Sequence, residues 1–104
     1  MKCPGQVWIN GKLWTIEEKL DLFRNDEEFG NCVYHNLRIE LDETQPDQMK
    51  RDTVWHEILH GVEAELDLKL KEKQVRQIAS MQVAIMRDNP EVIAYLLAQT
   101  EENG

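Results

Sequence analysis

The first part of the chain shows the alternation typical of β-strands around a tight turn. Two apolar, β-prone runs at 7–9 and 13–16 flank the dipeptide Asn10-Gly11. Asn-Gly favours a type I′ turn, because both central residues of that turn need a positive φ. The pattern therefore predicts an N-terminal hairpin in which Ile9 faces Lys12, Trp8 faces Leu13 and Val7 faces Trp14.

A second β-prone segment covers residues 32–41, after a turn signal at Gly30-Asn31. Leu37, Ile39 and Leu41 alternate with polar residues, as in a strand with one buried face. This segment is either one long strand or a second hairpin bent near Asn36. With the first hairpin it predicts a small, mostly antiparallel sheet, whereas residues 17–29 fit a helical turn or an irregular connection equally well.

The rest of the chain has helical periodicity. Pro46-Asp47 marks a helix start, and residues 49–66 contain no breaker except Gly61. The apolar residues of this stretch repeat at helical spacing, at Val54, Trp55, Ile58, Leu59 and Val62.

Two further helices are predicted, one at about 70–87 and one that starts after Asn89-Pro90 and carries an apolar face at 92–97. The core positions expected in the first of these are Leu70, Val75, Ile78, Ala79, Val83 and Met86. The expected fold is α+β, with the small sheet packed on the first helix and two helices after it. With 104 residues, residues 1–104 are expected to form one domain.

Composition and charge narrow the class of partner. Apolar residues make up 41% of the chain, enough for a core, and the net charge is −8. Because phosphate backbones and anionic lipids need clustered Lys and Arg, we expect neither nucleic acid nor a membrane as a direct partner.

The two cysteines, Cys3 and Cys32, form no C-x-x-C motif. We expect a cytoplasmic protein with reduced thiols.

The candidate chemistry lies on the first helix, in the sequence His56-Glu57-Ile58-Leu59-His60. Residues four apart share a helix face, so both imidazoles can converge on one ion. Neutral imidazole is a good ligand of Zn²⁺. Glu57 follows the first histidine and is offset by about 100° around the helix, where its carboxylate can take a proton from water rather than bind the metal. The H-E-x-x-H pattern therefore predicts a zinc centre with Glu57 as the catalytic base.

A catalytic zinc ion usually has three protein ligands and one open position. Acidic residues near the histidines and the third histidine are candidates for the missing ligand: Glu63, Glu65, Glu72 and His35. Three side chains of one straight helix rarely converge on one ion, whereas a residue on the next helix approaches from the side. We therefore expect Glu72, with His56 and His60, to complete the site.

With these residues in view, the chain resembles small prophage-type metallopeptidase-like proteins related to the ImmA/IrrE and minigluzincin families. The resemblance covers most of the chain and rests on five segments: Trp8-Ile9-Asn10-Gly11, Arg38-Ile39-Glu40-Leu41, the H-E-x-x-H motif with Gly61, residues 72–79 and Arg87-Asp88-Asn89-Pro90-Glu91. It implies a gluzincin arrangement, in which a sheet packs on the active-site helix and a second helix supplies a zinc-binding glutamate that matches Glu72. The chain departs from the family pattern at Arg76, where similar sequences often carry an acidic residue.

The expected activity is zinc-dependent hydrolysis of peptide bonds in a protein or peptide substrate. An alternative is a catalytically inactive module that retains zinc and binds a protein without cutting it. A third possibility is a helical adaptor without metal. Tyr34 and His35, beside the strand expected to border the active-site helix, are candidates for stabilising the oxyanion. The pattern makes no prediction of the oligomeric state.

Overall fold

The α+β fold expected from the sequence is present in the computed structural model, which describes residues 1–20, 22 and 29–99. A four-stranded sheet precedes three helices. The strands are β1 (Gln6–Ile9), β2 (Lys12–Lys19), β3 (Gly30–Val33) and β4 (Arg38–Asp42), with a 3₁₀ turn at Tyr34–Asn36. The helices are α1 (Asp47–Glu65), α2 (Glu72–Asp88) and α3 (Pro90–Leu97). Of the undecided segment 17–29, residues 17–19 belong to β2, and residues 21 and 23–28 lie outside the described part.

The N-terminal hairpin is confirmed, including its register. Val7 pairs with Trp14, Trp8 with Leu13 and Ile9 with Lys12. Asn10 and Gly11 both have positive φ, at 51° and 78°. These are the backbone angles that make Asn-Gly the preferred pair in a type I′ turn.

Residues 32–41 form the bent alternative rather than one long strand. β3 and β4 pair antiparallel, with Cys32 opposite Ile39, and the 3₁₀ turn between them ends at Leu37. Leu37 closes the turn with a left-handed backbone, φ 49° and ψ 53°. The chain reverses here, and Leu37 shares its buried side with the apolar residues of β4.

The sheet is mostly antiparallel, as expected, but its central pair of strands is not. The strand order is β1-β2-β4-β3, and the central pair β2 and β4 is parallel, with Ile16 opposite Ile39. The period-2 pattern shows which face of a strand is buried, but it carries no information on strand direction. The β3–β4 hairpin inserts β4 next to β2, so β3 becomes an edge strand.

The main core lies between the sheet and α1. Trp14, Ile39 and Leu41 are fully buried, and the apolar stripe of α1 packs against them through Val54, Ile58 and Val62. Gly61 allows this close approach, because a Cβ atom there would lie 2.9 Å from Cδ1 of Ile9.

A buried amide connects α1 to the edge of the sheet. The side-chain NH₂ of Gln45 donates to the carbonyl oxygens of Phe29 and Asp42, each at 3.0 Å. Its Oε1 accepts a hydrogen bond from the Thr53 hydroxyl at 2.9 Å. Gln45 therefore fixes the start of β3 and the end of β4 against the first turns of α1.

The second and third helices extend from this core. α2 buries Val75 and Ala79, and Trp55 of α1 donates through Nε1 to Gln82 of α2 at 2.8 Å. Ile78, expected in the core, is 39% exposed, so this core prediction is wrong. None of the helices in the described ranges is long and apolar enough to cross a membrane.

Candidate metal centre

His56 and His60 lie one turn apart on α1 and direct the same ring nitrogen to one point. Their Nε2 atoms are 3.2 Å apart, and the two rings meet edge to face. Both side chains are half-buried, at 17% and 23% exposure. The convergence expected from the four-residue spacing is present.

Glu72, the first residue of α2, completes this group from the side. Its Oε1 lies 2.7 Å from Nε2 of His56, and its Oε2 lies 3.0 Å from Nε2 of His60. The chain reverses between α1 and α2 at Asp67, whose φ of 53° is left-handed, and so brings the start of α2 over the histidines. The three side chains that the sequence analysis selected are thus brought together.

The spacing of the donor atoms fits one tetrahedral ion. With zinc–nitrogen distances of about 2.0–2.1 Å, two tetrahedral ligands stand about 3.3 Å apart. The closest distances among the three side chains are 2.7, 3.0 and 3.2 Å. Two imidazoles with one carboxylate also match the chemical preference of zinc. The residues therefore fit a zinc ion with one position left for water or substrate.

Hydrogen bonding around His60 supports a cation at this point. Nδ1 of His60 lies 3.1 Å from Oε1 of Glu63, and because a carboxylate can only accept, Nδ1 is the ring nitrogen that donates here. With the proton on Nδ1 alone, the lone pair of His60 Nε2 faces Oε2 of Glu72, and both atoms are acceptors. A divalent ion between them would satisfy both, together with Nε2 of His56.

The lowered pKa of His56 also favours metal binding. Burial lowers the pKa of His56 below its usual value, although the adjacent Glu72 carboxylate acts in the opposite direction. Arg76, one turn after Glu72 on α2, lowers this pKa further through its positive charge. A neutral imidazole is the form that binds a metal.

The other three candidates for the third ligand do not join the converging ligand atoms of His56, His60 and Glu72. Glu65 points to the N-terminal hairpin, where it pairs with Lys12 at 3.0 Å and accepts a hydrogen bond from Asn10 at 3.2 Å. His35 is exposed on the 3₁₀ turn, apart from the three converging side chains. Glu63 contacts the far nitrogen of His60, which makes it an outer partner rather than a ligand.

Glu57 lies in the same cleft as the three ligands. The cleft has a volume of about 870 Å³ and runs between α1, the start of α2 and β3. Glu57 is buried, with 6% of its surface exposed. A Cβ atom on Gly30 would lie 3.1 Å from Oε2 of Glu57, so this carboxylate packs directly against the backbone of the edge strand.

The wall opposite the histidines consists of β3 and the residues next to it. Gly30, Asn31, Cys32 and Tyr34 all line the cleft. Burial, together with the negative charges of Glu57 and Glu63, raises the pKa of the Cys32 thiol to about 11. Cys32 is therefore a neutral, poorly nucleophilic thiol beside the carboxylate of Glu57.

Two residues of this site were not expected from the sequence. The sequence indicates only a turn at Gly30, yet this residue lies in β3 and leaves the space that Glu57 and Thr53 occupy. Glu63 was weighed only as a direct ligand. Its spacing of three from His60 was the available signal, since residues three apart on a helix are neighbours.

Comparison of the chain with protein-family models, with curated proteins and with solved structures gave no match. Its function is therefore inferred from the geometry of the cleft.

Proposed function

We propose that the protein is a zinc-dependent peptidase that hydrolyses peptide bonds in a protein or peptide substrate. One observation carries this proposal: ligand atoms of His56, His60 and Glu72 lie within 4.8 Å of one another in a cleft that also contains Glu57. A zinc ion that only stabilises a fold usually has four protein ligands. Three converging ligands leave a position open, as catalysis requires.

Zinc held by these ligands would supply Lewis acidity, which polarises a carbonyl group and lowers the pKa of water. Glu57 takes the proton from the attacking water and delivers it to the amine that leaves. Its place on α1 suits this role, because it follows His56 directly and lines the cleft without belonging to the three ligands. The buried surroundings of Glu57 shield the proton transfer from bulk solvent.

Substrate would enter along β3. This strand is the edge of the sheet next to α1, with β4 on its other side. An extended peptide can pair with such an edge through main-chain hydrogen bonds. It would then cross the cleft in front of Glu57. Tyr34, the first residue of the 3₁₀ turn after β3, is 41% exposed and lines the same cleft, although its side chain also interacts with Glu65 and Lys12.

The arrangement supports the gluzincin type expected from the resemblance to small prophage-type metallopeptidase-like proteins. A sheet packs on the helix that carries both histidines, and the glutamate comes from the start of the next helix. The cysteines Cys3 and Cys32 are both free thiols, which suits a cytoplasmic location.

The experiment that tests the proposal compares wild type with Glu57→Gln on a broad peptide library after zinc loading. We expect both proteins to bind one zinc ion and only the wild type to cleave. Glu91→Gln is the matched control, since it removes an exposed carboxylate from the first turn of α3, outside the cleft. Zinc binding without cleavage by wild type would favour the alternative, an inactive zinc-containing module that binds a protein. Absence of zinc would favour the metal-free adaptor.

A further inference from the structure

Glu63 has two hydrogen-bond partners on opposite sides of its carboxylate. Oε1 lies 3.1 Å from Nδ1 of His60, and Oε2 accepts the backbone N–H of Leu70 at 2.8 Å. Its side chain is 16% exposed. Both carboxylate oxygens are therefore engaged, one by the metal centre and one by the segment that leads into α2.

The backbone of Glu63 reinforces the same connection. Its carbonyl oxygen accepts the N–H of Leu68 at 2.9 Å, near the left-handed residue Asp67. Side chain and backbone of this one residue thus hold two points of the segment 66–71. Glu72 follows that segment directly, so its position over the histidines depends on how the connection is held.

We infer that Glu63 is the positioning residue of the proposed zinc site, acting on one ligand by hydrogen bonding and on another through the chain. Accepting from His60 Nδ1 fixes the tautomer in which Nε2 keeps its lone pair for the metal. Accepting from Leu70 N–H fixes the approach of Glu72. This inference rests on the proposed function only in taking the three side chains as zinc ligands.

Replacing Glu63 by glutamine separates these roles from simple packing. Glutamine has nearly the same shape, but it offers one acceptor oxygen and one NH₂ donor in place of two acceptors. If its oxygen keeps the bond to Leu70, its NH₂ faces His60 Nδ1 and favours the tautomer with the proton on Nε2. That tautomer has lost the lone pair that would bind zinc.

The test has two readouts on Glu63→Gln, wild type and the control Glu65→Gln. The first is zinc affinity, measured by competition with a chromophoric chelator. The second is the tautomer of His60 in the metal-free proteins, from ¹⁵N chemical shifts of its ring. We expect Glu63→Gln to bind zinc about 10–100-fold more weakly and to shift His60 toward the Nε2–H form, with Glu65→Gln like wild type.

Equal zinc affinity and an unchanged His60 tautomer in Glu63→Gln would overturn the inference. If wild type bound no zinc, the proposed function would fail. The tautomer comparison would still decide whether Glu63 orients His60. Glu63→Ala, which removes both acceptors, should lower zinc affinity at least as much as Glu63→Gln. A zinc affinity of Glu63→Ala close to that of wild type would also contradict the inference.

Discussion

The carboxylate of Glu72 lies 2.7 Å from Nε2 of His56, although the two residues belong to different helices. The turn between these helices therefore determines whether the two histidines of α1 acquire a third partner. The spacing within α1 places only the imidazoles. The carboxylate comes from the chain reversal that follows.

Loss of Glu72 should weaken zinc binding strongly. In Glu72→Gln the neutral amide is a poor zinc ligand, so we expect affinity to fall by more than the roughly 10–100-fold that loss of an outer partner causes. Isothermal titration with Zn²⁺ measures the change. The control is Glu91→Gln, which removes another exposed carboxylate from the first turn of a helix. Equal losses of zinc affinity in the two variants would show that Glu72 acts through its negative charge and not as a ligand.

Gly30 should tolerate no side chain. A Cβ atom there would lie 2.5 Å from Cγ2 of Thr53 and 3.1 Å from Cγ of Glu57, so β3 or α1 must shift in Gly30→Ala. Overpacking of this kind costs about 1–3 kcal/mol. Urea unfolding measures the loss. Gly5→Ala is the matched control, because a Cβ atom at Gly5 has no neighbour within 4 Å. A Gly30→Ala protein as stable as Gly5→Ala would show that the strand is further from the helix than described.

Loss of the buried amide of Gln45 should destabilise the fold. Gln45→Leu removes hydrogen bonds to Phe29 O, Asp42 O and the Thr53 hydroxyl, although Phe29 O still accepts the N–H of Asp42. A hydrogen bond of this kind contributes about 0.5–1.5 kcal/mol to stability. We expect a clear drop in the free energy of unfolding, and faster amide exchange in β3. Unchanged exchange in β3 would mean that Gln45 does not hold the edge strand.

Cys32 should alkylate slowly at neutral pH. A pKa of about 11 leaves on the order of one thiolate in a thousand at pH 8, so the rate with iodoacetamide should rise about tenfold per pH unit up to pH 10. Glu57→Gln removes a negative charge that raises this pKa and should therefore speed alkylation at pH 8. Mass spectrometry of the Cys32 peptide follows the reaction. A rate that levels off below pH 9 would contradict the described surroundings of the thiol.

Local patterns in the sequence predicted the parts of the fold that depend on neighbouring residues. Asn10-Gly11 determined the register of the first hairpin, because only a few residues adopt its backbone angles. The periodicity of α1 placed His56 and His60 on one side. Long-range relationships were harder: the parallel pairing of β2 with β4 depends on where the β3–β4 hairpin inserts, which alternation does not encode.

The same distinction applies to the site. Glu72 was preferred on coordination geometry, and the structure places it against both histidines. The double contact of Glu63 depends on how the chain folds back at Asp67, and no spacing rule predicts that Leu70 N–H returns to the same carboxylate. The closeness of Gly30 to Glu57 likewise needs the relative position of sheet and helix.

The central claim is that His56, His60 and Glu72 together hold one zinc ion. Elemental analysis of the purified protein after zinc loading and desalting tests it most directly, with His56→Ala/His60→Ala as the reference. The account predicts about one zinc ion per chain in wild type and none in the double variant. Equal zinc content in the two proteins, or no zinc in either, would contradict it.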